Sequence, residues 1–361
     1  MSQPSFHFDE RIARAETLPS RFYLDSDTLE LERRNIFHHT WQLVGRLEQV
    51  TEPGSYFTSE ILGEPILIVR DSEGVLRGFH NVCRHRAGPV ARESGRRSVF
   101  QCGYHGWTYS LEGRLLGTPD WDGVENFDRD GMGLLPIRVD TWEQFIFVNL
   151  GGNTGLDEFL GFIREKTEQF DISGMKFVER RDYVVECNWK VYVDNYAEGY
   201  HIPIVHPSLM RELDFEHYRT ITSRFSSLQD APIKGGVAKD RRYQPTDAHS
   251  EALYFWVFPN LMLNIYPDNL STNLIVPLGV GRTLTIFEWF FDAPESAEVQ
   301  EKIRRTISLS DEVQQEDLGI CEAVQRGLGS MAYDRGRYSA KRESGLYHFH
   351  ALWREFMLAE G

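Results

Sequence analysis

Cys83-Arg84-His85 and Cys102-Gly103-Tyr104-His105 decide how the first half of this chain is read. They spell C-x-H, a gap of 16 residues, and C-x-x-H. Two thiolates and two imidazoles on paired loops can hold a [2Fe–2S] cluster, one iron on sulfur and the other on nitrogen. A four-ligand zinc site is the alternative, since two Cys and two His also suit structural zinc. Zinc fingers pair Cys with Cys and His with His, whereas each loop here carries one of each. That alternation, with Arg86 and Gly106-Trp107 beside it, favours the cluster.

Outward from these loops, the 361 residues suggest two domains, and 41% apolar content is ample for two cores. Lys+Arg 39 against Asp+Glu 54 leaves a net charge of −15, which argues against nucleic acid or an anionic membrane as partner. Four cysteines are too few for a disulfide framework once two serve the cluster, which suits a reducing compartment. The first 21 residues mix acids with basic residues and lack an apolar stretch, so no signal peptide is expected there. No run approaches the roughly 20 apolar residues of a membrane span. The expected location is the cytoplasm.

Ser26 to Trp41, rich in Leu, Glu and Arg, predicts an amphipathic helix, making residues 1–40 a helical N-terminal segment. From Trp41 to Leu150 short apolar runs such as Pro65–Val69 and Phe145–Leu150 alternate with turns at Asp71–Gly74 and Leu111–Arg114. That pattern predicts an all-β module at 41–152 holding both cluster loops. Gly151-Gly152-Asn153-Thr154-Gly155 marks the boundary. Beyond it, 153–361 predicts a helix at 156–170, strands from Leu253 to Phe291, and helical pieces at 295–307 and 311–326. Pro294 suits a first helical position. A curved sheet between helices predicts an α+β domain with an enclosed cavity.

In that second domain Asn188 to His201 is followed by His206. A helix over 188–200 would place Asp194, Glu198 and His201 at i, i+4 and i+7, on one face. Pro203 would stop it, leaving His206-Pro207 free to fold back. Two imidazoles and one carboxylate form the facial triad of non-haem Fe(II) oxygenases, with open positions for O2 and substrate. Asp194, Glu198 and the pair Glu316-Asp317 are all candidates for the carboxylate, and the residues alone do not choose.

The chain resembles, over nearly its whole length, the catalytic α subunit of Rieske non-haem iron oxygenases, in the branch of choline monooxygenase and the betaine and carnitine oxygenases. The resemblance rests on Cys83–Arg86, Tyr104–Trp107, Asn188-Trp189-Lys190, Asp194–His201 and Glu316-Asp317. Val324–Leu328, Gly336-Arg337-Tyr338 and His348-Phe349-His350 add to it. It implies an α+β protein: an all-β Rieske [2Fe–2S] domain, then a helix-grip α+β catalytic domain with mononuclear iron. Cys83, His85, Cys102 and His105 would bind the cluster, and His201, His206 and Asp317 the iron. Glu198 and Asp194 are the implied catalytic carboxylates outside the ligand set, Asp194 in a supporting or structural place. Many arene dioxygenases carry Asp where Glu198 stands; a carnitine-type oxygenase resembles this chain in having Glu.

The same resemblance implies a head-to-tail homotrimer, with the cluster of one subunit beside the iron of the next. His105 of one chain, Glu198 and His201 of its neighbour would form the relay. Electrons would come from NAD(P)H through a separate flavin/iron-sulfur reductase, and O2 would be the co-substrate. For the substrate, Tyr254–Phe258, Tyr266, Phe287 and Trp289–Phe291 could enclose a quaternary ammonium by cation–π attraction, though strand alternation lets only half face one cavity. Hydroxylation or N-demethylation of choline, glycine betaine, carnitine or a similar compound is expected. An aromatic ring substrate is the alternative, and a Rieske electron-transfer protein a remote one.

The remaining candidates read more plainly. His38-His39, His80, His217 and His249 are expected to be structural or surface groups, and Cys187 and Cys321 buried thiols. His348 and His350 would share a face only in an extended segment. Gly279 to Gly281 reads as a turn.

Overall fold

A computed structural model describes residues 6–233, 251–266 and 269–358. It divides into two compact units, Phe37–Leu156 and Met1–Ile36 with Asp157–Gly361. The N-terminal segment set apart at 1–40 is therefore not an independent piece. Its first 36 residues join the C-terminal unit because Glu32, fully buried, pairs with the equally buried Lys190 at 2.7 Å. Phe22 also packs on Trp353. The expected 26–41 helix is shorter, α-helical over Ser26–Glu32 and then a π turn over Arg33–Phe37.

The Phe37–Leu156 unit is all-β. Seven antiparallel strands form one sheet, in which Glu64–Arg70 lies between Ser55–Ile61 and Leu76–His80. Ile66–Val69 are fully buried there, as a continuous β-branched and leucine run requires of an interior strand. Three short strands, Phe100–Gln101, Thr108–Tyr109 and Leu115–Gly117, form a second sheet. The second cluster loop connects the first two of these.

The other unit is built on seven antiparallel strands. Their order runs Lys176–Val185, Arg282–Phe291, Asn269–Gly279, Leu261–Tyr266, Glu251–Val257, Ser226–Pro232, Arg219–Ser223. Gly279 and Arg282 close the hairpin expected at 279–281. A single 32-residue helix, Ala297–Leu328, about 48 Å long, replaces the two expected pieces. Ile307 and Leu309 stay buried through the middle, so Ser308 and Ser310 do not interrupt it. It starts later than Pro294 because the Ser296 hydroxyl accepts from the Val299 N–H and caps it. Ile303 and Ile307 pack on Phe287, Trp289 and Phe291. Leu309 and Val313, further along, pack with Ala252, Tyr254 and Tyr266. One helix thus meets strands several positions apart, so the sheet curls around it and leaves a cavity between. Among the described residues no helix is long and apolar enough to cross a membrane.

Candidate metal centres

The two cluster loops close in the same way. In the first, the Cys83 N–H donates to the Gly88 carbonyl and the Ala87 N–H to the Cys83 carbonyl, at 2.8 and 3.0 Å. In the second, the Cys102 N–H donates to Trp107 O and the Gly106 N–H to Cys102 O, at 2.9 and 3.0 Å. The fourth residue past each cysteine has positive φ, 57° at Ala87 and 75° at Gly106. Glycine adopts that conformation freely and alanine at a cost. Gly88 is needed for closeness instead, since a Cβ there would lie 3.1 Å from Cys102 Sγ.

These turns gather the four donors as two pairs. Cys83 and Cys102 are buried, and burial, with the neighbouring Cys83 thiol, holds the Cys102 thiol above its ordinary range. The His85 and His105 rings meet edge-on at 4.6 Å. His85 stacks on Trp107 at 4.9 Å and 9°, and its Nδ1 is buried with no hydrogen-bond partner among the described residues. No three of the four donors lie close enough to share a single ion, as tetrahedral zinc would require. Two buried thiols and two paired imidazoles, one with an unpartnered ring nitrogen, fit a two-iron cluster. The Tyr109 hydroxyl lies 3.2 Å from Cys83 Sγ and accepts from the Arg84 N–H at 3.0 Å, a partner the motif did not reveal.

In the other unit the helix runs only over Trp189–Tyr196. Asn188 caps it by accepting from the Lys190 N–H, and Trp189 and Lys190 both bond to Glu32. It ends before Glu198 because that carboxylate turns back onto the backbone N–H groups of Tyr200 and His201. Asp194, Glu198 and His201 therefore do not share one helical face. Pro203 begins a short helix, Ile202–Val205, instead of ending one, and His206 sits between it and Pro207–Glu212.

The result is a compact donor set. His201, His206 and Asp317 each place a ligand atom within 4.8 Å of the others, the one such group among the described residues. Both imidazoles are oriented by carboxylates on Nδ1: His201 by Glu198 at 2.6 Å and His206 by Glu316 at 2.7 Å. Each therefore keeps Nε2 for a metal, and the outer carboxylates raise ligand basicity. Asn195 donates to Asp317 at 2.7 Å. The chemistry of the set, two imidazoles and one carboxylate, fits Fe(II). In the metal-free protein burial pulls the His206 pKa down, but Asp317 and Glu316 outweigh it and hold the imidazole above its ordinary value.

Asp194 lies away from this donor set, in the supporting or structural place the resemblance implied. Its oxygens go to the Tyr23 hydroxyl at 2.7 Å and His350 Nε2 at 2.9 Å, and Tyr338 holds the other His350 nitrogen. It is a structural tie, not part of the catalytic set, because it projects from the helix toward the terminal segments. Glu316 and Asn195 were missed as orienting groups, although Glu316 beside Asp317 was their visible trace. His350 and His348 lie on a helix, Ser344–Leu358, not an extended segment. His80 and His217 pair with Glu64 and Asp214, Cys187 and Cys321 are buried, and His249 lies outside the described residues.

Glu198, His201, His206 and Asp317 open onto a cavity of about 120 Å³. Tyr254, Tyr266, Phe287 and Trp289 line it; alternation turns Phe255 and Phe290 to the opposite face, and Trp256, Phe258 and Phe291 lie outside the lining although Trp256 and Phe291 share the facing parity. Gln229, Asn264, Ser271 and Asn273 bring neutral polar groups to the same wall.

Residues 40–128 match the Rieske [2Fe-2S] domain, and residues 172–359 the catalytic domain of the ring hydroxylating alpha subunit. The chloroplastic choline monooxygenase of Arabidopsis thaliana is 39% identical over 96% of this chain and 84% of its own length. The carnitine monooxygenase oxygenase subunit of Escherichia coli (strain K12) is 31% identical over 94% and 93%. A solved quaternary ammonium Rieske monooxygenase matches at a TM-score of 0.86 and 28% identity, over 98% of this chain and 100% of that one. The chain belongs to the ring-hydroxylating alpha subunits of the Rieske oxygenases, and it is the terminal, oxygen-incorporating component of such a system.

Proposed function

We propose that this oxygenase hydroxylates or N-demethylates a small quaternary ammonium compound of the choline, glycine betaine or carnitine type. The carrying observation is the cavity wall at the donor set, where aromatic rings, Tyr254, Tyr266, Phe287 and Trp289 among them, stand beside amides and hydroxyls. Aromatic faces attract a trimethylammonium group. An arene in the same space would leave the donors of Ser271 and Asn273 without an acceptor, at about 1–3 kcal/mol each. The curated relatives named for choline and carnitine support the same reading.

In this reading Cys83, His85, Cys102 and His105 hold the [2Fe–2S] cluster, and His201, His206 and Asp317 hold a mononuclear Fe(II). The chemistry these groups supply when bound is one-electron transfer and activation of O2. Glu198 and Glu316 fix the two imidazoles, and the cavity excludes bulk water around the substrate. Glu198, with its side chain 10% exposed, bonds His201, and in this reading it would also receive His105 of a neighbouring copy. Tyr200 and Ile204 beside it are 59% and 83% exposed, and Tyr104 beside His105 is 58% exposed, surfaces suited to contact between copies in a homotrimer. A solved relative bears on inter-subunit electron transfer. A flavin/iron-sulfur reductase would pass electrons from NAD(P)H, and four free cysteines suit a cytoplasmic location.

The test is reconstitution with a surrogate reductase, screening quaternary ammonium compounds against simple arenes. Formaldehyde release indicates N-demethylation, and aldehyde from choline indicates hydroxylation. A cis-diol from an arene, with neither of these, overturns the proposal.

A further inference from the structure

Resting on the quaternary ammonium reading, a single row of side chains across the sheet goes further and separates classes within it. Gln229 lies opposite Tyr254, Tyr254 opposite Asn264, Asn264 opposite Ser271, and Ser271 opposite Trp289. All five line the cavity, and so does Asn273, on the same face two residues beyond Ser271. The row runs from amide to aromatic, and its hydrogen bonds are directional.

Gln229 is used at both ends, accepting from the Tyr218 hydroxyl and donating to the Tyr196 carbonyl at 2.6 Å. Asn264 is also used in full. Its Oδ1 accepts from Tyr196 at 2.8 Å, and its Nδ2 donates to Ser271 Oγ at 3.1 Å and Asn273 Oδ1 at 3.3 Å. Ser271 and Asn273 are thereby fixed as acceptors toward Asn264. The Ser271 O–H and the Asn273 NH2 remain to donate, from residues each 5% exposed, on the wall of the cavity. Buried donors facing a binding space call for an acceptor on the ligand.

We infer that Ser271 and Asn273 determine specificity by donating to a neutral oxygen on the substrate, while Trp289 and Phe287 face its trimethylammonium end. The substrate class is an N-trimethylated amino alcohol. Both donors are uncharged, and uncharged donors leave a buried carboxylate's charge uncompensated, whereas they satisfy a hydroxyl. The described lining residues include neither Lys nor Arg.

Calorimetry on the full-length, iron-loaded protein without reductase tests this, using choline and n-propyltrimethylammonium, which has a methyl in place of the hydroxyl. Wild type is expected to bind choline about tenfold more tightly or better. Ser271→Ala and Asn273→Ala should each weaken choline about tenfold and leave n-propyltrimethylammonium unchanged, one hydrogen bond's worth of selectivity. Ser271→Thr, which keeps the hydroxyl, should retain the preference, and iron content reports folding. Equal binding of the two ligands by wild type, or carnitine or glycine betaine binding more tightly than choline, overturns this inference and leaves the ammonium reading standing. If no ammonium compound binds and an arene does, the reading beneath it fails as well.

Discussion

The cluster loops and the mononuclear donor set use the same residue types in opposite ways. Cys83/His85 and Cys102/His105 are sequence-local pairs, each shaped by two backbone hydrogen bonds inside a turn of six residues. The other set draws His201 and His206 from breaks between short helices and Asp317 from the middle of a 32-residue helix. The imidazoles also differ in what fixes them. His85 is held by the face of Trp107, whereas His201 and His206 are each held by a carboxylate on Nδ1. Aromatic support shelters a redox group without adding charge. Carboxylate support raises ligand basicity and can carry a proton, which suits a site that must bind a metal and exchange with substrate.

The comparison breaks most visibly at Glu198. Glu198→Gln should leave both metals bound and nearly abolish substrate oxidation, roughly a hundredfold or more. Wild-type turnover in that variant, with iron content intact, would remove Glu198 from any relay. Glu316→Gln touches the other imidazole and should act differently, lowering mononuclear iron affinity about 10- to 100-fold while the cluster's visible absorbance stays. If the two variants give the same phenotype, the division between an electron-path carboxylate and a purely orienting one is wrong.

Iron loading should depend on pH at this site. The metal needs neutral His206, and in the metal-free protein its two carboxylate neighbours hold that imidazole protonated above the ordinary value. Below the raised pKa a proton must be displaced, so affinity should fall about tenfold per pH unit on acidification and level off above it. In Glu316→Gln the fall should begin at lower pH, because one of the groups holding the proton is gone. Titration of the apo-protein with ferrous iron at several pH values reads this directly. A flat profile from pH 6 to 8 contradicts it.

The smallest effect is expected at the cluster. Tyr109→Phe removes the hydroxyl 3.2 Å from Cys83 Sγ and should lower the reduction potential on the order of 50 mV, with mononuclear iron unchanged. Redox titration followed by EPR measures it, and an unmoved potential would leave the hydroxyl only its bond to the Arg84 backbone.

How far each region was legible follows from the same contrast. The cluster could be read because its geometry is local: cysteine and histidine two or three residues apart need only a turn to face one way. His201 and His206 were visible for a similar reason, but the helix expected over 188–200 just before them was too long. Periodicity continued it past Tyr196, while Glu198 capped the following N–H groups with its own side chain. Asp194 illustrates the cost of that error. On paper it shares a face with His201; in the fold it faces Tyr23 and His350 from opposite ends of the chain. Glu316 looked like half of an ordinary solvated acidic pair, and only the approach of His206 gives it a task.

The sequence by itself determined the donors and their kinds: two Cys–His pairs for a two-iron cluster, and imidazoles with a choice of carboxylates for one iron. Residue chemistry and short spacing are sufficient for that, since ligand softness and turn geometry act over a few bonds. Tertiary structure decided which carboxylate joins which imidazole, which aromatics face the cavity, and which polar groups on its wall keep a free donor. Those depend on sheet register and on the curl of the sheet around one long helix. Contacts separated by more than a hundred residues then meet within hydrogen-bonding distance, and local pattern carries no record of them.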